Sequence, residues 1–295
     1  VDRGHLSLTE RNDIIGEHDF SFDDARKARD QWSGEELRQL FSSAVWTGRD
    51  PARRSAPGTE ITRDARFWIP LFCVFEGTRL EEVADLRRKD IRHEAGVWQL
   101  GITTEHRRLK NHSAKRTIPV HPELIRIGFL EYVARIASGP ADPLFPDLEP
   151  QGADQKRGPR ITRWLVEYRR DAGLFREGVG SRAFRHNFNT RLRKKLSDYS
   201  DQLRLNYLLG HASGTGEGDV QYDKGREAKA VAVLLARLKY PKIDLARLQV
   251  RKDGDLFSYG GLGDQALFRL PCGEWRPGRI TVLSAVGMCR RMMVS

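Results

Sequence analysis

The chain has 295 residues, enough for one large or two modest domains, and carries 51 lysines and arginines against 40 aspartates and glutamates, a net charge of +11 with a pI near 9.8. That balance favours a polyanionic partner, nucleic acid first; no apolar run reaches the roughly 18 residues of a membrane span, and the opening VDRGHLSLTERND has no apolar core, so neither a transmembrane helix nor a signal peptide is expected. Cys73, Cys272 and Cys289 form no CxxC pair and the eight histidines no HExxH, so no metal and no cofactor is expected, in a reducing, cytoplasmic, nucleoid-associated setting.

Residues 1 to 30 are polar without a sustained period and read as a linker. Ser33 and Glu36 have capping-box spacing ahead of an apolar stripe at Leu37, Leu40, Phe41, Ala44 and Val45, and a compact domain is placed from there to about 248. After a loop at 48 to 60, the segment RDARFWIPLFCVF reads as an apolar helix over 63–75 that Pro70 kinks or delays. Glu76-Gly77-Thr78 ends it, Gly77 suiting a left-handed cap. Arg79 opens a short helix with Glu82 on the same face. That pair by itself is equally a surface ion pair.

Residues 90 to 120 read as a small antiparallel meander. It turns at Glu94-Ala95-Gly96, with one strand through Val97, Trp98, Leu100 and Ile102 and another at Thr117 to Val120. Arg107, Arg108, Lys110, Lys115 and Arg116 are read as crowding a hairpin tip, suited to a phosphate backbone or to a soluble strand edge. One helix is expected from Pro122, with its stripe at Leu124, Ile127, Leu130, Ala134 and Ala137, another from about Arg160, a third near 182, and a last over Glu227 to Leu238. Residues 249 to 295 lack a period and are read as a weakly ordered tail. The fold class is mainly α with a small antiparallel β-sheet, an α+β arrangement.

The chemistry concentrates in residues 181 to 222. Arg182 and Arg185 stand three apart, Leu208-Leu209-Gly210-His211 forms a turn, and a Gly/Ser/Thr loop leads to Tyr222. A guanidinium forks onto two phosphate oxygens, an imidazole donates to phosphate or moves a proton, and a phenol is a nucleophile once deprotonated. On this stretch alone the arginines also suit the solvated face of an amphipathic helix, with Phe184, Phe188, Leu192 and Leu196 behind. Tyr207 falls among apolar helix residues and reads as core.

Taken in order, five boxes resemble the tyrosine recombinase (phage integrase) family over about residues 31 to 248: Gly77-Thr78-Arg79-Leu80-Glu81-Glu82, Lys110 ahead of Thr117-Ile118-Pro119-Val120, Phe184-Arg185-His186, Leu208-Leu209-Gly210-His211, and Tyr222. The ending Tyr240-Pro241-Lys242-Ile243-Asp244-Leu245 is similar to that of some phage-type members. The resemblance implies that family's catalytic-domain fold, with residues 1 to 30 the linker or remnant of an absent N-terminal core-binding domain. It implies a site-specific recombinase or integrase of a mobile element that cuts and rejoins double-stranded DNA through a 3′-phosphotyrosyl link, without metal or ATP, as a homo-tetramer on paired sites. It assigns Tyr222 as nucleophile, Arg79 and Arg185 as phosphate clamps, His211 as a contact to the same phosphate, and Lys110 as the acid for the departing 5′-oxygen. Arg182 stands where the family usually has histidine, and the eleven-residue gap from His211 to Tyr222 is about two longer than usual. Two other readings stay open: a catalytically impaired or truncated integrase that only binds DNA, and a type IB topoisomerase.

Overall fold

The computed structural model describes residues 31–103, 115–211 and 224–245, with the backbone alone of 224–226 and of two strands at 265–269 and 275–279. The chain divides into two units, Val1–Asp30 and Gln31–Ser295; the described residues all belong to the second.

The opening helix α1 (Gly34–Phe41) starts as its sequence dictates: the Ser33 hydroxyl accepts from the Glu36 N–H, and the Glu36 carboxylate accepts from the Ser33 N–H. A single turn, α2 (Ala44–Thr47), follows. Trp32 anchors this region, stacking on Phe184 at 5.0 Å while Asn187 bonds both its N–H and its carbonyl.

Helix α3 (Ala65–Phe75) is the axle of the core. Asp64 caps it, and every residue except Arg66 is buried. It continues through Pro70 as one helix, where the sequence suggests a kink or a later start. A proline inside a helix costs about 3 kcal/mol, but ten buried side chains hold this one in place. The chain leaves α3 through Gly77, at φ 62, and enters the short α4 (Leu80–Ala84).

After a 3-10 turn at Arg88–Asp90 come β1 (Ile91–Glu94), β2 (Val97–Ile102) and β3 (Arg116–Pro119), a three-stranded antiparallel sheet in the order β1-β2-β3. Ala95 and Gly96 both have positive φ, the conformation of a two-residue turn matched to strand twist. Ile118 lies opposite Leu100 and Arg116 opposite Ile102.

The single helix expected after Pro122 is two, α5 (Pro122–Arg126) and α6 (Phe129–Ile136). Gly128, at φ 96, adopts a left-handed conformation that the sequence stripe does not register. Helices α7 (Gly158–Asp171), α8 (Ser181–Arg193), α9 (Tyr199–Leu209) and α10 (Lys224–Ala236) complete the helical body. Further on, β4 (Gln265–Arg269) pairs antiparallel with β5 (Trp275–Arg279). The described residues are thus mainly helical with a three-stranded and a two-stranded antiparallel sheet, and none of their helices is long and apolar enough to cross a membrane.

Candidate active site

Four elements meet where α3 ends: the Gly77 turn, the start of α4, the middle of α8 and the end of α9. Helix α8 buries Phe184, Phe188 and Leu192 at a spacing of four, against α3 and its neighbours. This sets Arg185 over the Gly77 turn. One Arg185 nitrogen, Nη1, donates to the Gly77 carbonyl at 2.7 Å, and Nη2 donates to the Leu209 carbonyl. Two of its five donors are thereby committed to main chain, which orients the planar fork. The Arg185 Nη2 also lies 3.4 Å from His211 Nε2.

Arg79 is oriented by Glu82. Its N–H donates to Glu82 Oε2 at 2.8 Å and its Nη1 to Glu82 Oε1 at 2.7 Å. The Arg79 side chain keeps 28% of its surface exposed. Glu82 is buried and serves a second guanidinium, for Arg116 donates to both its oxygens at 3.1 and 2.9 Å. Burial opposes the Glu82 charge. The hydrogen bonds and charge of Arg116, with the bonds from Arg79, outweigh it and hold the carboxyl down at about 2.

Arg116 is therefore not at a hairpin tip, where its basic neighbours suggested it would be. It is fully buried on β3, and its Nε donates to the Leu208 carbonyl at 3.0 Å. The signal for this was present: Arg116 shares a strand face with Ile118 and Val120, both buried.

The end of α9 aims His211. Gly210 is left-handed at φ 58, and the His211 N–H donates to the Asn206 carbonyl at 3.0 Å. The last turn of a helix leaves carbonyls without partners. Here Arg116 takes that of Leu208 and Arg185 that of Leu209. The His211 ring is held below its ordinary pKa of 6.5, by burial first and then by the charges of Arg185, Arg79, Arg116 and Arg193. It is neutral near pH 7. Arg185 is itself pushed down to about 10, by burial first and then by the charge of Arg79, against an opposing Glu82. His211 feels the charges of Arg185 and Arg79, and Arg185 that of Arg79, so the three share one locality.

Of the other sequence candidates, only Arg182 is among the described residues. Arg182, one turn before Arg185 on α8, is exposed, and among the described residues no bond ties it to Arg79, Arg185 or His211. Lys110 and Tyr222 lie outside the described residues. Tyr207 is not core: it is 38% exposed, and its hydroxyl bonds the main chain of Thr117 on β3. Among the described residues no group of three or more histidine, cysteine, aspartate or glutamate side chains could hold a metal ion.

Chemically, the arrangement offers two oriented guanidiniums and a neutral imidazole to one small anion. Arginines fixed in advance stabilise charge that grows on a tetrahedral oxyanion without reorganising during reaction.

No protein-family model and no curated protein matches this chain. Among solved structures it is similar to an integrase from a mycobacterium phage, Brujita, with a TM-score of 0.43 and 16% identity over 75% of this chain and 63% of that one. It is similar also to the site-specific recombinase XerH bound to palindromic difH substrate, with a TM-score of 0.43 and 22% identity over 70% of this chain and 54% of that one. A third likeness is to the integrase of the Tn1549 transposon in complex with transposon right-end DNA, with a TM-score of 0.40 and 16% identity over 75% of this chain and 65% of that one. In each case the chain spans under two thirds of the other's length, and these are distant likenesses.

Proposed function

We propose that this chain is a site-specific DNA recombinase or integrase that cuts and rejoins strands through a phosphotyrosyl intermediate. The observation that carries the reading is the convergence of Arg79, Arg185 and neutral His211 at the end of α3, with Arg185 within 3.4 Å of the imidazole. A scissile phosphodiester is the anion that such a cradle fits, and the net charge of +11 suits the polymer that carries it.

In this reading Tyr222, eleven residues after His211, attacks phosphorus. A bond forms from its phenolic oxygen to phosphorus, the bond to the 5′-oxygen breaks, and Lys110 gives that oxygen its proton. Arg79 and Arg185 clamp the non-bridging oxygens. Arg182 contacts phosphate only, because a guanidinium accepts no proton near neutral pH. The proton that Tyr222 sheds then falls to His211, held neutral and able to accept it. A 5′-hydroxyl of a partner strand reverses the steps, and two pairs of chains on two DNA sites make the working tetramer.

The test is covalent capture. A randomised duplex library nicked on one strand traps a cleaving protein on DNA, because the short fragment that carries the new 5′-hydroxyl diffuses away. A denaturant-resistant adduct lost in Tyr222→Phe supports the reading. Binding without an adduct at any sequence overturns it in favour of a DNA-binding protein. Relaxation of any supercoiled plasmid, without enrichment of a sequence, points to a topoisomerase.

A further inference from the structure

The two guanidiniums of the cradle belong to one closed circuit. Arg185 donates to the Gly77 carbonyl through Nη1 and to the Leu209 carbonyl through Nη2. Leu208, the residue before, gives its carbonyl to Arg116 Nε at 3.0 Å. Arg116 then reaches Glu82, Nη1 to Oε1 at 3.1 Å and Nη2 to Oε2 at 2.9 Å. Each of those oxygens also accepts from Arg79, Oε1 from the side chain and Oε2 from the main chain. Arg79 follows Gly77 by two residues, which closes the ring.

Arg116 differs from the other two arginines of the ring in having no surface. Its side chain is fully buried, against 28% exposure for Arg79. It cannot touch a nucleic acid, so what it offers the site is shape and field. The guanidinium is rigid and planar. Its two Nη groups meet both carboxylate oxygens while Nε meets the end of α9. One plane therefore sets the distance from Glu82, which orients Arg79, to the turn that carries His211. Its charge is also among those that depress Arg185 and His211, so its field reaches the place where an anion would sit. Stability alone does not call for such a pair, since apolar residues of the same volume often hold a core as well as a buried ion pair does.

We propose that Arg116 is a positioning residue for phosphate: its planar fork holds the Arg79 and His211 side chains at the spacing of one phosphodiester. For strand cleavage this rests on the function proposed above; for binding it rests on the cradle alone.

Arg116→Lys keeps the charge and loses the fork. Single-turnover adduct formation is measured on the captured substrate in two forms. One has the ordinary scissile phosphodiester. The other has a methylphosphonate there, in which methyl replaces one non-bridging oxygen and less charge grows for a guanidinium to meet. Arg79→Ala sets the scale for a lost clamp. Arg116→Lys slows the phosphodiester by about 10–100-fold and the methylphosphonate by under about threefold. Glu82→Asp, which draws the carboxylate back from the fork by one methylene, shows the same split and stands in should Arg116→Lys not fold. Equal slowing on the two substrates, or no slowing, overturns the inference and leaves the strand-transfer reading intact. Failure of both variants to fold marks the ring as structural and overturns it too. If the unsubstituted protein forms no adduct, the strand-transfer reading falls, and inorganic phosphate decides this one through the His211 Cε1 proton resonance. An apparent Kd that rises about tenfold in Arg116→Lys supports the positioning role. An unchanged Kd, or no binding by the unsubstituted protein, overturns it.

Discussion

A Cβ on Gly77 would sit 2.3 Å from Cδ1 of Phe188, closer than any side chain can approach a ring. The bare backbone of the first arginine turn is what lets α8 come near enough for Arg185 to reach the Gly77 carbonyl. Gly77→Ala combines that collision with a φ of 62 that an L side chain resists. It should cost about 2–4 kcal/mol, read from the urea midpoint. Phe188→Leu made alongside should recover at least about 1 kcal/mol; strict additivity of the two would mean that the ring is not the obstacle.

Arg182 and Arg185 are one turn apart and should behave differently. Arg182 is exposed, so Arg182→Ala should leave stability within about 0.5 kcal/mol. Arg185→Ala removes two ties to main-chain carbonyls and a clamp, and should slow adduct formation by about 10²–10³-fold. The denaturant midpoint of Arg182→Ala and the single-turnover rate of Arg185→Ala check this.

Glu82 governs stability in acid. Its folded pKa is about 2 against an ordinary 4.5, so its contribution is whole above pH 4.5 and is lost as pH falls towards 2. The loss is on the order of 3 kcal/mol. Glu82→Gln should flatten that limb of the stability curve, and should also weaken the protein at neutral pH by leaving Arg116 buried without its anion. Denaturant midpoints at pH 3, 5 and 7 decide it.

Glu76 acts in the opposite sense. It is fully buried, with the His121 N–H donating to its Oε1 at 2.5 Å, and burial pushes its pKa up to about 8. The folded chain keeps a proton that the unfolded chain releases, so stability declines as pH rises from 4.5 through 8. The decline attributable to Glu76 is about 3–5 kcal/mol across that window. Glu76→Gln should remove it and be the more stable protein at pH 8.5. Asp147, raised to about 6 by burial and by the nearby Asp64, adds a slope of the same sign that both proteins share.

His211 should titrate below 6.5 in the empty protein, followed by the imidazole Cε1 proton resonance. Inorganic phosphate placed between the guanidiniums should raise that value, because the anion offsets the charges that now depress it. A value well above 7 without phosphate would remove the neutral imidazole from the mechanism.

Much of this site could be read from residue order. Arg79, Arg185 and His211 belong to short motifs whose spacing is kept by the helix turns that bear them. Arg116 was hidden by its neighbours: a run of basic residues looks like a solvated tip, and only the alternation with Ile118 and Val120 shows that it turns inward. Tyr207 was misread for a related reason. The buried residues of α9 are Asp201, Leu205, Leu208 and Leu209, and position 207 falls off that stripe. The helix around Pro70 was legible from its apolar run, but its continuity across the proline was not, because local propensity argues against it and only enclosure on all sides reverses the balance. The break at Gly128 needed a backbone angle rather than a pattern.

The turn at Gly77, the anchor at Arg116, the fork at Arg185 and the imidazole at 211 come from stretches of chain that a ribosome delivers one after another. Until the last of them emerges, the earlier arginines lack the Leu208 and Leu209 carbonyls that aim them and the imidazole beside them. Synthesis halted short of residue 208 would therefore leave Arg116 and Arg185 present but unaimed.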